Sequence, residues 1–233
     1  MTMHPAPARS RVRILVLEDH ALFAESLELA LTLEGYDVRR VPIPDHACAP
    51  GQVLASAGRW KPRIALVDLD LGSFGDGADL IEPLARSGTN VVVVTASTDR
   101  ARWGECVQRG ARQVISKNQP LNDILAVVRR LSQGLPVITH EEREELLELW
   151  QERRRTQQVA RSRLATLTAR EREILGRLME GHPVRDIAHH DYVSEATVRT
   201  QVKSILAKLG VSSQLAAAGL ARSVGWQAPG HHC

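Results

Sequence analysis

Four short aliphatic runs in this chain each end in a side chain that can do chemistry, and stretches of helical periodicity separate them. Residues 12–17 lead into Glu18-Asp19, residues 64–67 into Asp68, residues 91–94 into Thr95, and residues 114–116 into Lys117. Runs of strand length that alternate with helices predict a parallel sheet, and such sheets gather their functional groups in the crevice at the carboxyl ends of the strands. Glu18, Asp19, Asp68, Thr95 and Lys117 are therefore expected to share one site. The runs 12–17 and 64–67 are apolar almost throughout, as in central strands covered on both faces. After the first run, Leu22, Leu27, Leu29, Leu31 and Leu33 recur at mostly helical spacing and stop at Gly35. A short strand is predicted near residues 38–41, then a loop over 42–51 with three prolines, then a short helix. Further helices are predicted near 78–86, 101–109 and 121–131.

At 233 residues the chain has room for two domains. Its charged fraction of 24 % and plentiful aliphatics argue against disorder. No apolar run approaches the ~20 residues of a membrane helix, and the N-terminus shows no hydrophobic signal segment. A cytoplasmic protein without a membrane partner is expected. Cys48, Cys106 and Cys233 are scattered, with no paired spacing for a disulfide framework or a zinc site. The first half of the chain is slightly acidic, which suits a cation, and the second slightly basic, which suits a polyanion.

Thr139-His140-Glu141-Glu142 forms a capping-box pattern that opens a long polar helix. Its stripe of Leu146, Trp150, Ala160, Leu164 and Leu167 is interrupted by Arg153-Arg154-Arg155 and Gln157, so a solvated linker is expected rather than a dimerising coiled coil. A second capping box, Thr168 to Glu171, starts the next domain, and Gly181 stops that helix. Ile187 and Ala188 are expected to pack a short scaffold helix, with a turn over 190–193. Pro183 stands at that helix's cap. Ser194 then caps a reader helix. Val198, Val202, Ile205, Leu206 and Leu209 fall on its buried face, leaving Arg199, Thr200, Lys203 and Ser204 outward, with Thr197 in the first turn. Arg199 and Lys203 lie one turn apart and can reach one groove of a duplex. His182, His189 and His190 lack partners at metal-ligand spacing and are read as phosphate contacts or plain surface.

The order and contexts of Glu18, Asp19, Asp68, Thr95 and Lys117 resemble the receiver domain of bacterial two-component response regulators, over roughly residues 10–134. From Leu167 to about Arg222, LTAREREIL followed by EGHPVRDIAHHDYVSEATVRTQVKSILAKLGV resembles the LuxR-type helix-turn-helix module. Together they resemble the NarL/FixJ family. That resemblance implies an α/β receiver over 10–134, flavodoxin-like with a five-stranded, doubly wound parallel sheet. A helical linker over 135–166 and an all-α helix-turn-helix domain over 167–225 would follow. It implies that a sensor histidine kinase donates a phosphoryl group to Asp68, that Lys117 and Thr95 hold that group, and that Mg²⁺ sits on Glu18, Asp19, Asp68 and the backbone carbonyl of Asp70. A hard divalent cation with oxygen ligands suits such a site because it offsets the clustered negative charge. Phosphorylation would promote a homodimer that binds DNA sequence-specifically, through Thr197, Arg199, Thr200, Lys203 and Ser204, with RNA polymerase a further partner. Such a protein is a regulator and not an enzyme.

Two departures stand out. The place three before Lys117, aromatic in the family, holds Val114, which bears on how activation is transmitted. The loop Gly72-Ser73-Phe74-Gly75-Asp76-Gly77 has glycine where the family has proline and is one residue longer, and a more mobile loop is expected. Two other readings compete. Asp68-Leu69-Asp70 also resembles the haloacid-dehalogenase-type phosphatases, although their motif follows the first strand and a further acidic pair is expected after the lysine. A regulator whose receiver dimerises without phosphorylation is the other.

Overall fold

A computed structural model describes residues 12–41 and 50–228. The proline-rich segment 42–49, Cys48 and the terminal His231-His232-Cys233 lie outside the described residues. The chain divides into two compact units between Trp150 and Gln151.

The first unit is a five-stranded parallel sheet in the order β2-β1-β3-β4-β5. Its strands are β1 (Arg13–Leu17), β2 (Asp37–Arg40), β3 (Ile64–Val67), β4 (Asn90–Thr95) and β5 (Gln113–Ser116). Helices α1 (Ala21–Leu33), α2 (Pro50–Trp60), α3 (Ala78–Arg86), α4 (Arg100–Gln108) and α5 (Leu121–Ser132) connect them. The two-residue period of a strand separates the buried side chains into two cores. Ile14, Val16, Ile64, Leu66, Val92 and Val94 face α1 and α5. Leu15, Leu17, Ala65, Val67, Val91 and Val93 face α2, α3 and α4. The strand order reverses between β1 and β3, where doubly wound sheets open a binding crevice. Register pairs Leu17 with Val67, so Glu18-Asp19 and Asp68 leave the sheet side by side.

Two sequence expectations need correction, and the loop after Asp68 takes a defined form. On α1 the buried face is Ala24, Leu27 and Leu31, whereas Leu22, Leu29 and Leu33 are exposed. Their spacing is helical, but they lie on the side away from the sheet. The glycine-rich loop is not open chain. Residues Gly72–Phe74 form a 3-10 turn, Asp70 bridges Asp76, the Leu71 amide donates to the Gly75 carbonyl, and the Gly77 amide donates to the Leu69 carbonyl. Leu71 is buried beneath it. A β-carbon on Gly77 would lie 1.8 Å from the backbone oxygen of Asp68, so glycine there permits the loop to close on the site.

The second correction concerns α6 (His140–Ala165). Residues 151–156 are solvated as expected. Its first half is not, because Leu146 is buried in the core formed with α2, α3 and α4. Helix α4 meets α6 at Gly104, where a β-carbon would stand 1.9 Å from the Leu146 carbonyl oxygen. Arg100 pairs with Glu145 beside that crossing.

In the second unit the end of α6 packs with α7 (Ala169–Met179), α8 (Val184–His190), α9 (Glu195–Leu209) and α10 (Gln214–Ser223). Leu164, Leu175, Ile187, Val198, Ile205, Leu209 and Ala217 are among its buried residues. Thr168 and Glu171 complete the capping box of α7 in both directions. Helix α8 starts after Pro183, which has no amide to leave unpaired, and the Pro183 carbonyl accepts from Asp186 and Ile187.

Candidate functional site

The ends of β1, β3 and β5 bring Glu18, Asp68 and Lys117 into contact. The Lys117 Nζ lies 2.7 Å from Glu18 Oε1 and 2.7 Å from Asp68 Oδ2. Both carboxylate side chains are 3 % exposed. The Phe23 ring from α1 lies 5.2 Å from the same ammonium, close enough for a cation–π contribution. Asp19 completes the acidic group, and ligand atoms of Glu18, Asp19, His20 and Asp68 all lie within 4.8 Å of one another. His20 was missed by sequence reasoning, although its place directly after the acidic pair was a usable signal. Its Nδ1 lies 3.0 Å from Asp19 Oδ1.

Asp68 Oδ1 is buried and has no hydrogen-bond partner. A buried acceptor in that state is costly and marks a place for a ligand. Burial pushes the Glu18 carboxyl above its ordinary range, against the Lys117 hydrogen bond that pulls it down. Burial alone would lower Lys117, but hydrogen bonds to Asp68 and Glu18 outweigh it and hold the ammonium above its usual range. Both shifts are upward, which disfavours the charged Glu18 but favours the charged Lys117, because the single lysine charge is shared between two carboxylates. It offsets each of them only in part.

Thr95, 2 % exposed at the end of β4, accepts a hydrogen bond at its Oγ1 from the Ser97 amide. Thr95, Asp68, Asp70 and Lys117 line one open cavity of about 470 Å³. All five residues expected at strand ends therefore meet in one place. Asp76, in the loop beyond Asp70, pairs with Arg102 of α4 at 3.0 Å. Asp68 follows the third strand and not the first, and β5 ends in Ser116-Lys117-Asn118 without an acidic pair. That geometry departs from the phosphatase arrangement on both counts.

In the second unit α9 starts at Ser194, whose hydroxyl accepts from the Thr197 amide at 3.1 Å. Val198, Val202, Ile205 and Leu209 are buried, while Thr197, Arg199, Thr200 and Lys203 are exposed. Arg199 pairs with Glu195 one turn earlier at 2.7 Å. Ser204 breaks the expected pattern. Its hydroxyl turns inward and donates to Glu171 Oε1 at 2.7 Å, while Lys208 donates to the other oxygen at 2.6 Å. Burial would raise the Glu171 carboxyl, but these partners and the Thr168 cap outweigh it and hold it down at about 2. Helix α9 is covered by α7, α8 and α10, so more than one stripe of it is spoken for.

Residues 14–129 match the family described as response regulator receiver domain, and residues 165–221 match the LuxR family of bacterial regulatory proteins. A probable transcriptional regulatory protein NarL of Mycobacterium tuberculosis is 31 % identical, over 91 % of this chain and 94 % of its own. A nitrate/nitrite response regulator homologue of Haemophilus influenzae is 22 % identical over 90 % and 95 %. Among solved structures, RcsB of Salmonella enterica serovar Typhimurium, bound to promoter DNA with phosphomimetic BeF₃⁻, superimposes with a TM-score of 0.50 at 20 % identity. That match covers 92 % of this chain and 99 % of the other, and it shows a shared fold.

Proposed function

Because this chain belongs to the response regulators that join a receiver domain to a LuxR-type helix-turn-helix domain, we propose that phosphorylation of Asp68 by a sensor histidine kinase governs its binding to DNA. The observation that carries the reading is the pairing of Lys117 with Glu18 and Asp68 around an Asp68 oxygen that has no partner.

In the transfer, an Asp68 carboxylate oxygen attacks the phosphorus of a phosphohistidine, and the phosphorus–nitrogen bond breaks with its electron pair returning to the imidazole. Lys117 is placed to neutralise a phosphoryl oxygen. Thr95 still has its hydroxyl hydrogen to donate to another, since its oxygen only accepts from Ser97. Glu18, Asp19, Asp68 and the carbonyl of Asp70 are the residues that would hold Mg²⁺, and the unpaired Asp68 oxygen fits an oxygen-seeking cation. The ion would supply positive charge against the incoming phosphoryl group.

Thr197, Arg199, Thr200 and Lys203 are the residues of α9 placed to meet a duplex. Ser204 is withdrawn from that set because its hydroxyl is committed to Glu171. A single short helix reads few base pairs, so the active form is a homodimer on half-sites about 10 base pairs apart. RNA polymerase is a further partner.

Incubation with acetyl phosphate and Mg²⁺, followed by intact mass and oligomer size, tests the reading. One phosphoryl adduct and a shift to dimer are expected, both lost in Asp68→Asn. An adduct that persists in the variant overturns the assignment, and wild-type protein that takes no adduct favours the phosphorylation-independent reading.

A further inference from the structure

Tyr192, in the turn between α8 and α9, adopts a left-handed backbone with φ of 55° and is 96 % exposed. Side chains other than glycine, asparagine and aspartate rarely take that conformation, because the β-carbon crowds the backbone. Here the strain is not repaid by burial, since the ring touches almost nothing. The turn around it is fixed from both sides. Asp191, the residue before, has a carboxylate only 6 % exposed that pairs with Arg170 and Arg177 of α7 and hydrogen-bonds His190. Val193, the residue after, donates its amide to the Ala188 carbonyl at 3.0 Å. Between these anchors the tyrosine is presented outward at a fixed place, two residues before the cap of α9. Non-glycine residues held by their surroundings in a strained conformation cluster at functional sites.

We propose that Tyr192 is a further DNA contact, its phenol hydroxyl donating to a phosphate oxygen at the edge of the groove that α9 enters. This rests on the DNA-binding reading of the second unit. The first turn of a reader helix meets base edges, so the turn before it lies beside the sugar–phosphate strand. Tyrosine hydroxyls are among the usual donors to backbone phosphate. The neighbouring exposed Arg185, His189 and His190 on α8 suit the same polyanion.

Binding of a generic DNA duplex by the full chain, followed by fluorescence anisotropy over a range of salt concentrations, tests the contact with Tyr192→Phe, Tyr192→Asn and Lys203→Ala. Tyr192→Phe should weaken binding roughly 3- to 10-fold, the net scale of one ordinary hydrogen bond at an exposed site. It should leave the salt dependence unchanged, because a neutral phenol displaces no counterion. Lys203→Ala should reduce that dependence by about one ion. Tyr192→Asn should weaken binding while raising the melting temperature, since asparagine accepts the left-handed turn. Wild-type affinity in both Tyr192 variants overturns the proposal. Wild-type protein that binds no duplex at low salt instead overturns the DNA-binding reading on which it rests.

Discussion

Lys117 holds two buried carboxylates at once, so its loss should be felt by both. Lys117→Met is expected to destabilise the first unit by about 3–5 kcal/mol, the usual cost of stripping a buried ion pair of one partner. Added Mg²⁺ should restore more of the melting temperature in the variant than it adds to the wild type, because the uncompensated carboxylates then have a greater need of a cation; equal shifts would count against the cluster as a cation site. Glu171 supplies a second test. Its carboxyl sits at about 2 in the folded protein, below the ~4.3 of an unfolded chain. A lowered carboxyl stabilises above the unfolded value and loses that contribution as pH falls towards 2. The helix-turn-helix unit should therefore lose on the order of 2 kcal/mol between about pH 5 and pH 2, and Glu171→Gln should flatten that part of the profile. Chemical denaturation across that range measures both. The strand-end quintet was legible because a strand end fixes where its next residue points. Ser204 was not, because Glu171 lies 33 positions away and comes to α9 only through the packing of α7.

At the scale of the element, periodicity indicated the type of each segment better than its facing. The inner strands β1, β3 and β4 read true because their alternate residues find one core or the other. Helix α1 offered five leucines at workable spacing, yet small Ala24 with Leu27 and Leu31 makes the contact. The first half of α6 read as solvent-facing because its composition is polar, while a single leucine and a glycine on another helix decide its packing. Gly104→Ala should show this directly. Its added carbon falls on the Leu146 carbonyl, so either the helices separate or the unit is strained, with a loss of about 1–3 kcal/mol. Urea unfolding of residues 1–150 and protease cleavage near 140–150 would detect the change, and an unaltered midpoint would deny the close crossing. Val114, at the usual place of the aromatic switch residue, is buried in β5. The indole of Trp103 on α4 instead donates to the Ser97 carbonyl at 3.0 Å, in the loop whose amide bonds Thr95.

For the whole molecule, the sequence signalled two domains through two kinds of periodicity and two capping boxes. The interruption of the α6 stripe at Arg153-Arg154-Arg155 marked the place where the compact units divide, but not that Leu146, before it, belongs to the first core. Residues 1–134 should consequently be less stable than residues 1–150, by the roughly 2–5 kcal/mol that a removed core leucine commonly represents, and should melt at a lower temperature. Equal melting temperatures would mean that α6 is dispensable to the first unit. This bears on modularity. Regulators of this build invite the exchange of output domains, by recombination or by design, and the intuitive cut is the loop before α6. Here such a cut would leave Gly104 facing water and carry a receiver core residue away with the transplanted half. The tolerant junction is the polar stretch 151–156, in the middle of a helix, where a graft must preserve helical phase but no buried side chain changes owner.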